Sequence, residues 1–179
     1  MEGTKYTPEG TIVDGGAFTV RVPHGKRWEV VADSQKGVVS FRGPLYFILT
    51  IRENAEEGFM AETDEEVIQR IFTRIVETMN EEGKKEHYSV LGIEKESVVR
   101  CDKTLYGMKW RRWPLGILGS TTYHERMFVY LPINFRRDRV FYRFHMAEVA
   151  PRGGGIARKL KESSRLDELF QVIDSLRVK

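Results

Sequence analysis

The sequence predicts an α+β fold in which an antiparallel β-sheet is sandwiched between α-helices. Residues 45–51 are apolar on both alternating sets of positions, so a strand there needs cover on both faces. A well-capped helical pattern covers residues 63–79, and a second helical pattern covers residues 166–173. The segments between these helices are strand-like with short connections, which favours antiparallel neighbours.

The first 51 residues predict four strands after a loose N-terminal arm at residues 1–16, which includes a short strand near residues 11–13. Phe18, Val20 and Val22 alternate with polar residues, the period of a half-buried strand, and Pro23 ends it. Two short strands at residues 28–32 and 38–41 precede the apolar strand at 45–51. We expect one domain over residues 17–179.

The first helix has a capping box, in which Thr63 accepts from the backbone of Glu66 and the Glu66 side chain reaches back. Its apolar residues recur at helical spacing. They are Val67, Ile68, Ile71, Phe72, Ile75, Val76 and Met79. Gly83 is predicted to lie just past the end of the helix, where a left-handed glycine is common.

Five further strands are predicted at residues 88–94, 97–102, 105–113, 123–131 and 139–148. A glycine run at residues 153–155 leads toward the last helix, which Ser163 or Ser164 can cap. No internal repeat is present.

Composition predicts a soluble globular protein. The chain has 179 residues, 41% hydrophobic and 31% charged, with a net charge of +3 that divides into −5 over residues 1–100 and +8 over the rest. No apolar run approaches the length of a membrane span, and no export leader follows Met1. The single Cys101 excludes an internal disulfide framework, and we expect it to be a small buried residue on a strand.

The order of elements resembles the PsbP/Mog/DcrB-like superfamily over roughly residues 17–178. The residues that carry the likeness are Phe18, Val20, Pro23 and Trp28, the helix at 65–79, the strand at 141–144, and the ending at 173–177. The resemblance implies an α/β/α sandwich. It also implies a docking role without enzymatic chemistry, because the superfamily includes an extrinsic photosystem II subunit, proteins that bind the GTPase Ran, and envelope lipoproteins.

No catalytic, cofactor or metal motif accompanies this resemblance, so we assign no catalytic residue, cofactor or metal. None of the four histidines has the spacing of metal ligands. His124 and His145 lie on consecutive predicted strands, where Glu125 or Glu148 could complete a metal site, but structural histidines are the more common outcome. The glycine run also lacks the spacing of a phosphate-binding loop.

The most unusual segment is residues 109–119, and it is the candidate partner-binding site. Its members are Trp110, Arg111, Arg112 and Trp113, with Leu115, Ile117 and Leu118 in an apolar loop. Tryptophan and arginine dominate protein–protein hot spots, which favours another protein as partner. The same residue types suit an anionic membrane surface, and the loop could instead fold back over the sheet.

Two further functions stay open. Arg136, Arg137 and Arg139 form a basic cluster, but no nucleic-acid-binding pattern accompanies it, and a solvated turn explains it better. A small-ligand-binding protein or an enzyme with a dispersed cleft site is the alternative function, with His124 or His145 as its candidates. The sequence is compatible with a cytoplasmic protein and with an exported or envelope protein whose signal has been removed, and it leaves the oligomeric state open.

Overall fold

The computed structural model describes residues 6–25, 27–43, 45–114, 122–149 and 156–179. It has an α+β fold built on antiparallel sheets, which confirms the predicted fold class. The strands are β1 (Ile12–Asp14), β2 (Phe18–Arg21), β3 (Glu29–Asp33), β4 (Val38–Arg42), β5 (Tyr46–Asn54), β6 (Tyr88–Arg100), β7 (Lys103–Pro114), β8 (Tyr123–Tyr130), β9 (Val140–Val149) and β10 (Arg177–Val178). The helices are α1 (Asp64–Glu86), α2 (Phe135–Asp138) and α3 (Ile156–Ser175), with a 3-10 helix at Glu57–Ala61.

The chain divides into two compact units, of which the first combines Met1–Arg52 with Pro151–Lys179 and the second is Glu53–Ala150. In the first unit, β2 lies between β1 and β10 in a small antiparallel sheet, and α3 packs on β2. Strands β3, β4 and β5 form a separate antiparallel run. Whether residues 17–179 act as one domain behind a flexible arm stays a prediction.

The alternation in β2 sets the interior of the first unit. Phe18 and Val20 are fully buried, whereas Arg21 is exposed, as a half-buried strand requires. Trp28 is also fully buried and packs edge-to-face on Phe41, with ring centroids 6.3 Å apart. The residues that carry the predicted resemblance near the N-terminus are therefore core residues.

In β5, the two alternating sets of side chains are buried to different extents. Ile48 has no exposed surface, but Phe47 and Leu49 are half-buried and Leu45, just before the strand, is 57% exposed. Both faces are therefore covered between Phe47 and Leu49, as expected, whereas Leu45 lies outside the strand and is not covered.

The second unit is a four-stranded antiparallel meander in the order β9-β8-β7-β6. Helix α1 lies on one face of it and closes a hydrophobic core. Buried members of that core are Ala55, Phe59, Val67, Ile68, Ile71, Phe72, Met108, Trp110, Met127, Val129, Phe135 and Phe141. At about 1.5–3 kcal/mol for each large apolar side chain, this burial is the main stabilising contribution in the unit.

Helix α1 begins as predicted but ends later. Both bonds of the Thr63–Glu66 capping box form, at 2.8 Å from the Thr63 backbone N–H and 3.3 Å from the Glu66 backbone N–H. Gly83 is not the terminating residue, because the helix continues to Glu86 and His87 takes the left-handed conformation, with φ 58°. Glycine is instead needed at position 83 for packing, because a Cβ there would lie only 2.6 Å from the Tyr88 carbonyl oxygen.

Residues 88–100 form one strand, β6, not the two predicted. The register shifts between Leu91 and Glu94, which marks a β-bulge, and Gly92 within it has φ +62°. Cys101 is not buried on a strand, as expected, but exposed in the tight turn between β6 and β7. Cys101 and Asp102 have φ of 45° and 68°, the paired left-handed geometry that suits a two-residue hairpin.

Among the helices of the described residues, none is both long enough and apolar enough to span a bilayer.

Candidate functional site

Strand β7 carries four of the predicted partner-binding residues, and it distributes them over two faces. Successive side chains of a strand point to opposite sides, so Trp110 and Arg112 lie on the face that α1 covers. Arg111 and Trp113 lie on the other face and are exposed, Trp113 by 51% of its surface. The other predicted residues, Leu115, Ile117 and Leu118, lie outside the described residues.

Under α1, Trp110 and Arg112 belong to a partly buried polar cluster that also contains Glu125, His145 and Tyr88. The Trp110 ring stacks on the His145 ring with centroids 5.5 Å apart. The Arg112 guanidinium makes an ion pair with Glu125, with Nε 2.6 Å from Oε1, and lies 4.7 Å above the Tyr88 ring. Each polar group in this cluster therefore lies against an aromatic ring or an opposite charge.

Glu125 is the electrostatic centre of the cluster. Its carboxylate is almost fully buried, and His145 Nε2 lies 2.9 Å from its second oxygen, Oε2. Burial by itself would raise the pKa of Glu125. The hydrogen bond and the charge interaction with His145, followed by the charge of Arg112, outweigh burial and hold this pKa below its ordinary value. Glu125 is therefore an ionised buried carboxylate at neutral pH.

The opposite face of β7 presents a small surface that we call the outer patch, made of Leu91, Arg111 and Trp113. Leu91 on β6 is directly opposite Arg111 in the strand register and is 43% exposed. The Arg111 guanidinium lies across the bulge, because a Cβ at Gly92 would be 3.6 Å from Nη2. The outer patch thus combines an aromatic, an aliphatic and a cationic side chain next to a fixed irregularity in the sheet.

The two histidines that could have formed a metal or catalytic site lie on opposite faces of the sheet. His124 is in register with Arg111 and Glu148, on the side of the outer patch. His145 is on the side of α1, against Glu125. In the described ranges no group of three or more histidine, cysteine or acidic side chains could hold a metal ion.

The basic cluster at α2 pairs with carboxylates. Arg136 Nη2 lies 2.8 Å from Asp64, Arg137 Nε lies 2.7 Å from Asp138, and Arg139 Nη1 lies 2.8 Å from Glu57. The carboxylates offset the positive charge of these arginines, so less charge is available to bind the phosphates of a nucleic acid. This weakens the nucleic-acid interpretation.

The sequence brought Glu125 and His145 together only as possible metal ligands, so their buried hydrogen bond was missed, as was the separation of the four β7 residues. A signal existed for both. Glu125 precedes the apolar run at 127–131 in a predicted strand, where a buried carboxylate needs a partner. The period of two along β7 separates Trp110 from Trp113, although it does not say which of them faces the core.

Comparison with known proteins supports the fold. No protein-family model matches the chain, and no curated protein matches it. Among solved structures, the solution structure of cyanobacterial PsbP (CyanoP) from Synechocystis sp. PCC 6803 is similar, with a TM-score of 0.59 and 15% sequence identity over 94% of this chain and 92% of that chain.

The chain therefore has a PsbP-like α+β fold. At 15% identity the likeness to the cyanobacterial protein is one of fold alone. The Mog and DcrB parts of the predicted resemblance stay predictions.

Proposed function

We propose that this protein is a non-enzymatic docking module of the PsbP/Mog/DcrB-like type, and that it binds another protein through the outer patch. The predicted loop residues Leu115, Ile117 and Leu118 extend this surface in the proposal. The observation that carries it is Trp113, a tryptophan 51% exposed on a strand of a packed sheet. Exposed tryptophan next to arginine is the composition of interface hot spots.

The buried side of β7 supports the same proposal. Trp110 is only 4% exposed, and Arg112 makes an ion pair with Glu125. These contacts on the α1 side hold the strand that carries Arg111 and Trp113 in place. A surface that is already ordered loses little conformational entropy on binding. The alternation along β7 thus gives the outer patch a rigid support.

The Glu125–His145 hydrogen bond favours a second candidate, the small-ligand-binding protein or enzyme of the alternative prediction. A carboxylate that orients a histidine is a frequent arrangement for general base catalysis. Here the Glu125 side chain is 1% exposed and the His145 side chain 19%, so a substrate would need to reach the His145 ring edge. The docking function requires no such access.

The test is site-specific photocrosslinking in a lysate of the native source, with a benzophenone amino acid at position 113. The matched control carries it at position 99, because Val99 is 75% exposed on the same sheet but outside the outer patch. We expect one stoichiometric protein adduct at position 113, absent at 99. We also expect the Leu91→Ser/Trp113→Ala variant to bind that protein at least about 30-fold more weakly, as for a hot spot of about 2 kcal/mol or more.

Equal adducts at the two positions would contradict the proposal. Loss of binding to anionic vesicles in the variant, with no protein adduct, would instead support the membrane-surface interpretation. Retained far-UV circular dichroism and an unchanged melting temperature in the variant show that the outer patch was altered without unfolding.

A further inference from the structure

The first unit contains a groove that shares no residue with the outer patch. It has a volume of about 450 Å³, within the usual range for small-molecule sites. It runs along the exposed face of the small sheet beside the last turn of α3. Its side chains that matter for binding are Ile12, Arg21, His24, Gln171, Asp174 and Arg177.

The strand register brings two arginines together in the groove. Arg177 on β10 is directly opposite Thr19 on β2, and Arg21 lies two residues further along β2 on the same face. Residues related in this diagonal way are about 7–8 Å apart at Cα, within reach of long side chains. Arg21 and Arg177 can therefore both contact one small group between them.

Arg21 keeps its charge available. Its guanidinium makes no ion pair with any residue in the described part of the chain, and its side chain is exposed. Its backbone is nevertheless fixed, because the Arg21 N–H donates to Ser175 Oγ at 2.8 Å and that hydroxyl donates to the Val172 carbonyl at 2.8 Å. Arg21 thus differs from the arginines of α2, each of which has a carboxylate partner among the described residues.

Arg177 is held in place by backbone carbonyls at the end of α3. Its Nη1 donates to the carbonyls of Asp174 and Leu176, at 3.2 and 2.9 Å. These carbonyls would otherwise lack a helical partner. The cation is thereby oriented by backbone carbonyls, and Asp174 is the one acidic side chain among the described residues that line the groove.

Two other residues that line the groove, Gln171 and Ile12, supply a hydrogen-bond donor and an apolar surface. Gln171 accepts the His24 N–H through Oε1 at 2.7 Å, which fixes the amide and leaves its NH₂ as a donor. Ile12 is directly opposite Arg21 on β1 and is 61% exposed. An apolar side chain that flanks an arginine pair suits a ligand with an anionic head and a short hydrocarbon part.

We propose that this groove binds a small organic anion, either a carboxylate or a phosphate monoester, with its charge between Arg21 and Arg177 and its apolar part along Ile12. Guanidinium groups recognise both anions through the same paired donors. The site is independent of the outer patch, since all of its residues belong to the first unit.

Amide-detected NMR titration of the full chain tests the proposal, with hexanoate and hexyl phosphate as probes and hexanol as the neutral control. We expect saturable shifts of the amides of Gly10, Arg21 and His24 with at least one anion and none with hexanol. The anion that binds with the lower Kd shows whether the groove prefers a carboxylate or a phosphate head group. Arg21→Gln should raise the Kd about 10-fold, the effect of losing one charge-assisted hydrogen bond.

Arg42→Gln is the matched control, because Arg42 is an exposed arginine at the end of another strand of the same unit. It should leave the Kd unchanged, and so should Trp113→Ala, which separates this proposal from the docking function. Arg177→Gln provides a second test, provided that its melting curve stays cooperative. Unsaturable shifts spread over many arginine-bearing surfaces, or an equal Kd for wild type and Arg21→Gln, would overturn the proposal.

Discussion

Strand β7 carries a tryptophan and an arginine on each of its faces, and the two pairs differ in what surrounds them. On the side of α1, Trp110 is 4% exposed and Arg112 is paired with Glu125. On the other side, Trp113 is 51% exposed and Arg111 lies over the bulge at Gly92. Residue type alone therefore does not distinguish a stabilising aromatic–cation pair from a pair that is available for binding. The alternation of side chains along the strand decides which pair is which.

The largest difference between the faces should appear when each tryptophan is truncated. Trp110→Ala should lower the free energy of unfolding by about 3–5 kcal/mol, because it empties a packed site and removes the ring that covers His145. Trp113→Ala should change it by about 0.5 kcal/mol or less. Urea denaturation measures both values, and a Trp113→Ala cost as large as that of Trp110→Ala would abolish the distinction.

The arginines should differ in the same direction but by less. Arg112→Gln should cost about 1–3 kcal/mol, since it leaves the buried carboxylate of Glu125 with one partner fewer. Because the Arg112 side chain is about one-third exposed, we place the cost below that of a fully buried pair. Arg111→Gln is the matched control, with an expected change within about 0.5 kcal/mol.

The smallest effect concerns pH. Because the folded protein lowers the pKa of Glu125, the ionised carboxylate contributes stability above its unfolded pKa, and that contribution is lost as pH falls through the folded pKa. Arg112→Gln removes part of the cause, so the pKa of Glu125 should rise toward its ordinary value.

Melting temperatures measured from neutral pH down to pH 3 test this shift. The loss of stability that protonation of Glu125 causes should be smaller in Arg112→Gln than in wild type and should be complete at a higher pH, whereas Arg111→Gln should follow wild type. Parallel curves for Arg112→Gln and wild type would show that Arg112 does not stabilise the charge of Glu125.

Local patterns predicted most of the fold. The capping box at Thr63 located the start of α1, and alternation located β2, since these signals act within a few residues. Strand-like runs between short turns located β7 and β8. The end of α1 was missed because Gly83 serves a contact with Tyr88 that is visible only in three dimensions. Cys101 was misplaced because its hairpin turn depends on the pairing of β6 with β7.

The candidate site was predicted less completely. The sequence singled out the four residues of β7, but it could not show which pair faces α1, because both faces offer the same residue types. The Glu125–His145 bond joins residues 20 positions apart on neighbouring strands, and the groove joins β1 and β2 to residues more than 140 positions later. Such contacts depend on strand order, which no local pattern encodes.

The position of β10 has a consequence for the order in which the molecule folds during synthesis. Arg177 and Val178 complete the sheet of β1 and β2, so the second edge of β2 stays unpaired until residues 177–178 have left the ribosome. Strands β6 to β9 and α1 are contiguous in the chain and need no such delay. Vectorial synthesis therefore favours folding of the second unit while β2, made earlier, is still incomplete.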